Sequence, residues 1–197
     1  MNNKRMNIDL KLKKEKRNEV IRWILYYLGA ALCYVIITTL GRGFVMPLLL
    51  VPAAVFTAYN ERSTPFYTAL YGCVCGLLLD SAVGTLISFN GIILGFCSMM
   101  TSLFFMFYLR RHMLNFLLIG TLVTALREFM HYALFYLLWG YDENGKILLG
   151  VFLPEFILTS ISGVVIFGAG MLLNKMFGAV TEHYIEETTE DKPPEKQ

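Results

Sequence analysis

The chain has 197 residues, of which 56% are hydrophobic and only 16% charged, whereas a soluble domain carries about 25% charged residues. Its mean hydropathy is +0.54, and its formal net charge of +2 is too small, and too divided between the two ends, to make a nucleic-acid-binding surface. Eight of the 17 Lys and Arg residues fall in the first 22 positions and six of the 15 acids after Thr181, so the apolar stretch between the tails reads as membrane-embedded.

A bilayer-spanning helix takes about 20 mainly apolar residues. By that measure the sequence predicts an all-α, polytopic integral membrane helix bundle. A basic cytoplasmic arm at 1–20 leads into one membrane domain at 21–178, and a disordered acidic cytoplasmic tail follows at 179–197. Six spans are expected, near 21–40, 44–59, 66–84, 90–109, 114–139 and 147–174, with five as the competing count. The arm carries Lys4, Arg5, Lys11, Lys13, Lys14, Lys16, Arg17 and Arg22. It reads as a topogenic cluster or as a surface helix over 4–20 drawn to the anionic lipid bilayer. The run Ile21–Leu40 is long for a secretory signal core and lacks a small-residue cleavage site, so an uncleaved anchor is expected.

The second segment is short and contains Pro47 and Pro52, which predicts a kinked, tilted or re-entrant helix. It also decides between five spans and six. The third segment places Gly72, Gly76, Asp80 and Gly84 at intervals of four, on one helix face. Small residues at that spacing let a second backbone approach, so they read as a helix-packing or partner-contact face. The fourth segment repeats the pattern with Gly91 and Gly95, followed by Ser98 and Ser102. Asp80 is costly inside a span, and its place near the C-terminal end of a helix is disfavoured by the dipole. It therefore demands a partner.

The fifth segment offers Arg127, Glu128 and His131, which fall within one turn of each other. Asp80 and Arg127 are expected to pair directly or to share a buried polar cluster, with Glu128, His131 and Glu155 as further members. Glu155 follows Pro154 near the start of the last span and also reads as a first-turn acid favoured by the helix dipole. Cys33, Cys73, Cys75 and Cys97 all lie in apolar runs and read as small packing residues. No zinc-type His-Glu-x-x-His, no Gly-x-Ser-x-Gly and no intramembrane protease signature is present. The expectation is a non-enzymatic protein with no cofactor and no metal.

Basic residues in short loops set orientation. Arg62, Arg110, Arg111 and Lys175 join the arm on one side, while Arg42 and a Lys146 offset by Asp142 and Glu143 lie on the other. Both termini are therefore expected in the cytoplasm.

The stretch Gly76-Leu-Leu-Leu-Asp80-Ser-Ala-Val-Gly84, continuing to Gly91 and Gly95, resembles the signature region of the bacterial rod-shape-determining protein MreD family. The loop Asn60–Pro65 and the Pro154-Glu155 start of the last span fit the same pattern, although the acidic tail departs from it. The resemblance implies a six-helix fold like that of the substrate-binding subunits of energy-coupling-factor transporters. It also implies a bacterial inner-membrane subunit of the cell-wall elongation machinery. Its partners would be an MreC-like bitopic membrane protein and, through it, RodA, a class B penicillin-binding protein and MreB filaments. The alternative is a vitamin-type substrate-binding subunit of such a transporter.

Overall fold

The computed structural model describes residues 2–40, 47–61, 64–84, 88–137 and 148–178. The Gly41–Gly43 loop, Arg62, Thr85–Ile87, the loop charges Asp142, Glu143 and Lys146, and the acidic tail lie outside them. Every element among the described residues is helical: α1 (Asn2–Leu40), α2 (Leu50–Asn60), α3 (Pro65–Val83), α4 (Phe89–Phe107), α5 (Met113–Tyr132) and α6 (Leu153–Gly178). A π-helical turn, Ala133–Leu137, prolongs α5, and another, Leu148–Phe152, leads into α6. Five helical stretches are long and apolar enough to cross a membrane. This is a multi-pass membrane protein. The described residues divide into two compact units, one holding 2–25 and 168–178, the other Tyr26–Phe167.

Residues 2–20 of the basic arm are helical, as part of α1, which runs from Asn2 to Leu40. The second expected span is the short helix α2. Its 11 residues cover about 16 Å at ~1.5 Å per residue, roughly half of a ~30 Å hydrocarbon core. Its two prolines do not kink it. Pro47 precedes the helix and Pro52 falls in its first turn, where a missing N–H deprives no intrahelical acceptor. Helix α2 is apolar all round, and such a helix must be covered all round. Leu50, Val51, Ala54, Val55 and Phe56 are all buried, with α3, α4 and α5 packed around it.

The core of the larger unit is aromatic at one end of α2. Phe56 and Tyr59 meet Phe116 and Phe167 at centroid distances of 5.6–6.2 Å, and Tyr59 meets Phe105 edge-on at 5.0 Å. The outward faces are also apolar. Leu77, Ile92, Phe96, Leu118 and Leu122 stand exposed, as lipid-facing side chains do.

Helices α3 and α4 form a close hairpin, and the glycines explain why. A Cβ on Gly72 would strike Ser98 Oγ and the Leu94 carbonyl, and one on Gly76 would strike the Asn90 carbonyl and Gly91 Cα. From α4, a Cβ on Gly95 would strike Cys73 Sγ, and one on Gly91 would press on Leu77 at 3.3 Å. The small-residue pattern is used inside the protein. Gly84 does not belong to that face: it adopts φ +73 as the left-handed cap of α3, with nothing near its missing Cβ. A left-handed cap turns the chain off the helix and ends the four-residue repeat there.

Candidate functional site

Asp80 lies one turn before the end of α3 and is 3% exposed. Its neighbour is the beginning of α4, where the first N–H groups of a helix have no intrahelical partner. Ser88, the cap residue of α4, makes no side-chain cap bond and sits at φ 79. Asp80 takes that role from the adjacent helix. Its Oδ1 accepts from Asn90 N at 3.1 Å and its Oδ2 from Gly91 N at 3.4 Å. The positive end of the α4 dipole thus offsets the unfavourable end of α3.

Asn90 completes the arrangement and is fully buried. Its Nδ2 donates to Asp80 Oδ1 at 2.7 Å, and its Oδ1 accepts from Arg127 Nε at 2.8 Å. Arg127, 1% exposed, donates through Nη1 to Glu128 Oε1 at 2.7 Å. Asp80 and Arg127 therefore share one cluster, joined through Asn90. A continuous polar path crosses three helices, from the α4 N-terminus through Asp80, Asn90 and Arg127 to Glu128. Charge-assisted hydrogen bonds contribute about 1.5–3 kcal/mol each, and several of them offset the ~2.5–3.5 kcal/mol penalty of one acid in a span.

His131 lies one turn beyond Arg127, within electrostatic reach of Arg127 and Asp80. Its ring stacks with Phe135, Phe152 and Phe89 at 4.9, 5.6 and 5.8 Å. Glu155 occupies the first turn of α6 and is within electrostatic reach of Glu128 and Arg127. By chain direction the C-terminal ends of α3 and α5 and the N-terminal ends of α4 and α6 gather at this cluster.

Sequence reasoning missed Asn90, although an amide two residues after the expected turn and next to Gly91 was a visible signal. It also missed Arg111, which was read only as topogenic. Arg111 donates to the carbonyls of Asn60 and Glu61 at 3.0 and 2.9 Å, supplying a cation to the C-terminal end of α2. Near it, Asn60 Nδ2 donates to Tyr26 Oη at 2.5 Å, and Tyr71 Oη donates to the Tyr26 carbonyl at 3.0 Å. Thr159 was missed as well. Its hydroxyl accepts from Leu48 N at 2.9 Å, satisfying backbone just ahead of α2. Cys75 and Cys97 are buried and all four cysteines are free thiols. Among the described residues no three His, Cys, Asp or Glu side chains group to hold a metal ion.

The fold and the cluster together define a multi-pass helical membrane protein whose strongest polar bonds are turned inward. Comparison with protein-family models, curated proteins and solved structures finds no match for this chain.

Proposed function

We propose that the chain is a non-enzymatic subunit of the bacterial cell-wall elongation machinery. It crosses the inner membrane six times, with both termini in the cytoplasm. It binds an MreC-like bitopic protein within the bilayer and through it supports RodA, a class B penicillin-binding protein and MreB filaments. The observation that carries this reading is the segment Gly76–Gly84, whose residues resemble the MreD signature. The use to which the chain puts that segment fits a scaffold. Gly76 admits α4, and Asp80 caps it, so the polar chemistry supports helix assembly. The bias of Arg62, Arg110, Arg111 and Lys175 toward one side supports the orientation. In that orientation the Asp80 cluster lies toward the outer face.

Depletion in a rod-shaped host tests the proposal, combined with affinity purification in mild detergent. Rounding or lysis with recovery of an MreC-like protein is the expected result. Unchanged rods after clean deletion, in a host with no second copy, would refute it. Co-purification of a pair of ATPases, with loss of vitamin uptake, would establish the energy-coupling-factor alternative instead.

A further inference from the structure

We propose that the Arg127–Glu128 pair holds an ordered water molecule inside the bundle, bound between Arg127 Nη2 and Glu128 Oε2. Adjacent residues on a helix point in different directions, so the guanidinium fork cannot lie flat against the carboxylate of its neighbour. The pair accordingly meets at one end only, Nη1 to Oε1 at 2.7 Å. The other end of each group is buried, and neither Arg127 Nη2 nor Glu128 Oε2 has a hydrogen-bond partner among the described residues.

The two idle atoms need opposite things. Arg127 Nη2 needs an acceptor and Glu128 Oε2 needs a donor. An anion would serve the first but would face Glu128 and Glu155, and a metal cation would serve the second but would face Arg127. One small neutral molecule that both donates and accepts satisfies both, and water is the smallest such molecule. Buried waters make about three hydrogen bonds to polar groups that the protein leaves unmet. The Glu155 carboxyl lies within electrostatic reach of both members of the pair. The inference concerns the interior of the helix bundle and stands whether or not the chain serves wall elongation.

The test is an experimental structure of the full chain, in two different detergents and in a lipid nanodisc, at a resolution that shows ordered water. The expected result is one isolated peak at about 2.7–3.2 Å from both Nη2 and Oε2, present in every preparation. Direct contact of Nη2 with Glu155, or unpaired atoms with no peak between them, would overturn the proposal. A longer feature that changes with the detergent would overturn it too, identifying a hydroxyl of the amphiphile as the guest. Glu128→Leu removes one partner and is expected to abolish the peak. If that variant fails to fold, the wild-type maps still decide.

Discussion

Replacing Asn90 with Ala separates the two charged halves of the polar path without touching either charge. The substitution removes the amide donor to Asp80 at 2.7 Å and the acceptor from Arg127 Nε at 2.8 Å. It leaves the backbone bond from Asn90 N to Asp80 at 3.1 Å. Bonds to charged groups contribute ~1.5–3 kcal/mol each, which gives about 3–6 kcal/mol for two. Polar contacts between membrane helices average ~0.6 kcal/mol and reach ~1.7, which gives about 1–3.5 kcal/mol. The ranges overlap near 3 kcal/mol. That value is expected because both abandoned partners are ionic and stay buried after truncation. It corresponds to roughly a 150-fold change in the folding equilibrium. Reversible unfolding in mixed micelles of mild detergent and dodecyl sulfate, followed by circular dichroism, reads it directly. Asn90→Asp keeps an acceptor for Arg127 but sets a second carboxylate against Asp80, so it is expected to cost at least as much as Ala. A loss below ~0.5 kcal/mol for Asn90→Ala, the level of an ordinary surface change, would mean that the α4 N–H groups hold Asp80 unaided.

Gly76→Ala is expected to lower the melting temperature strongly, since its Cβ meets the α4 backbone, whereas Gly120→Ala, with open space around it, is expected to leave it unchanged. Gly84→Ala is expected to cost about 1–2 kcal/mol through left-handed strain alone, which the same melts compare. Arg111→Gln removes two charge-assisted bonds to carbonyls at the close of α2 and, because Arg111 is only half-buried, is expected to cost in all about the ~1.5–3 kcal/mol of one buried charged bond, while Arg110→Gln at an exposed position costs nothing measurable. The exchange Asp80→Arg with Arg127→Asp is expected to be no more stable than either single change. It would point a cation at the positive end of α4, and any recovery would refute the capping role. Compartment-specific reporter fusions at Arg62, Ile87, His112, Asn144 and Gln197 are expected to read in, out, in, out, in. A C-terminal reporter active outside would leave five spans.

Periodicity was enough to place the long helices. An apolar run of span length has few alternatives, and turn residues such as Pro65 and Gly84 mark where helices begin and end. The glycine spacing likewise announced close packing of α3. The periodicity did not say which neighbour receives the glycines, because a helix face carries no address. Nor did it show that Gly84 leaves that face, since a four-residue repeat looks the same whether its last member is helical or caps the helix. The partner of Asp80 was hidden for a related reason. Two of its donors are backbone N–H groups, of Asn90 and Gly91, and every residue but proline carries one. A search for opposite charge finds Arg127 and passes over the amide between them.

Helix α2 shows how the segment least like a span comes to organise the larger unit. A helix that faces lipid may end only where its last backbone groups reach water or a protein partner. One that is too short to cover the hydrocarbon by itself must find partners at its ends within the protein. Thr159 accepts from Leu48 N ahead of α2, and Arg111 donates to the carbonyls of Asn60 and Glu61 at its close. The long helices can leave Ile92 and Leu118 to lipid, but α2 has no such freedom, because every face of it is packed. Its neighbours are therefore held by two separate devices, the Arg111 contacts at one end and the Asp80–Asn90–Arg127 path among α3, α4 and α5. Loosening either is expected to disturb the packing around α2 before it disturbs any single long helix. That ordering suits a protein whose proposed work is to present a fixed helical surface to others in the bilayer.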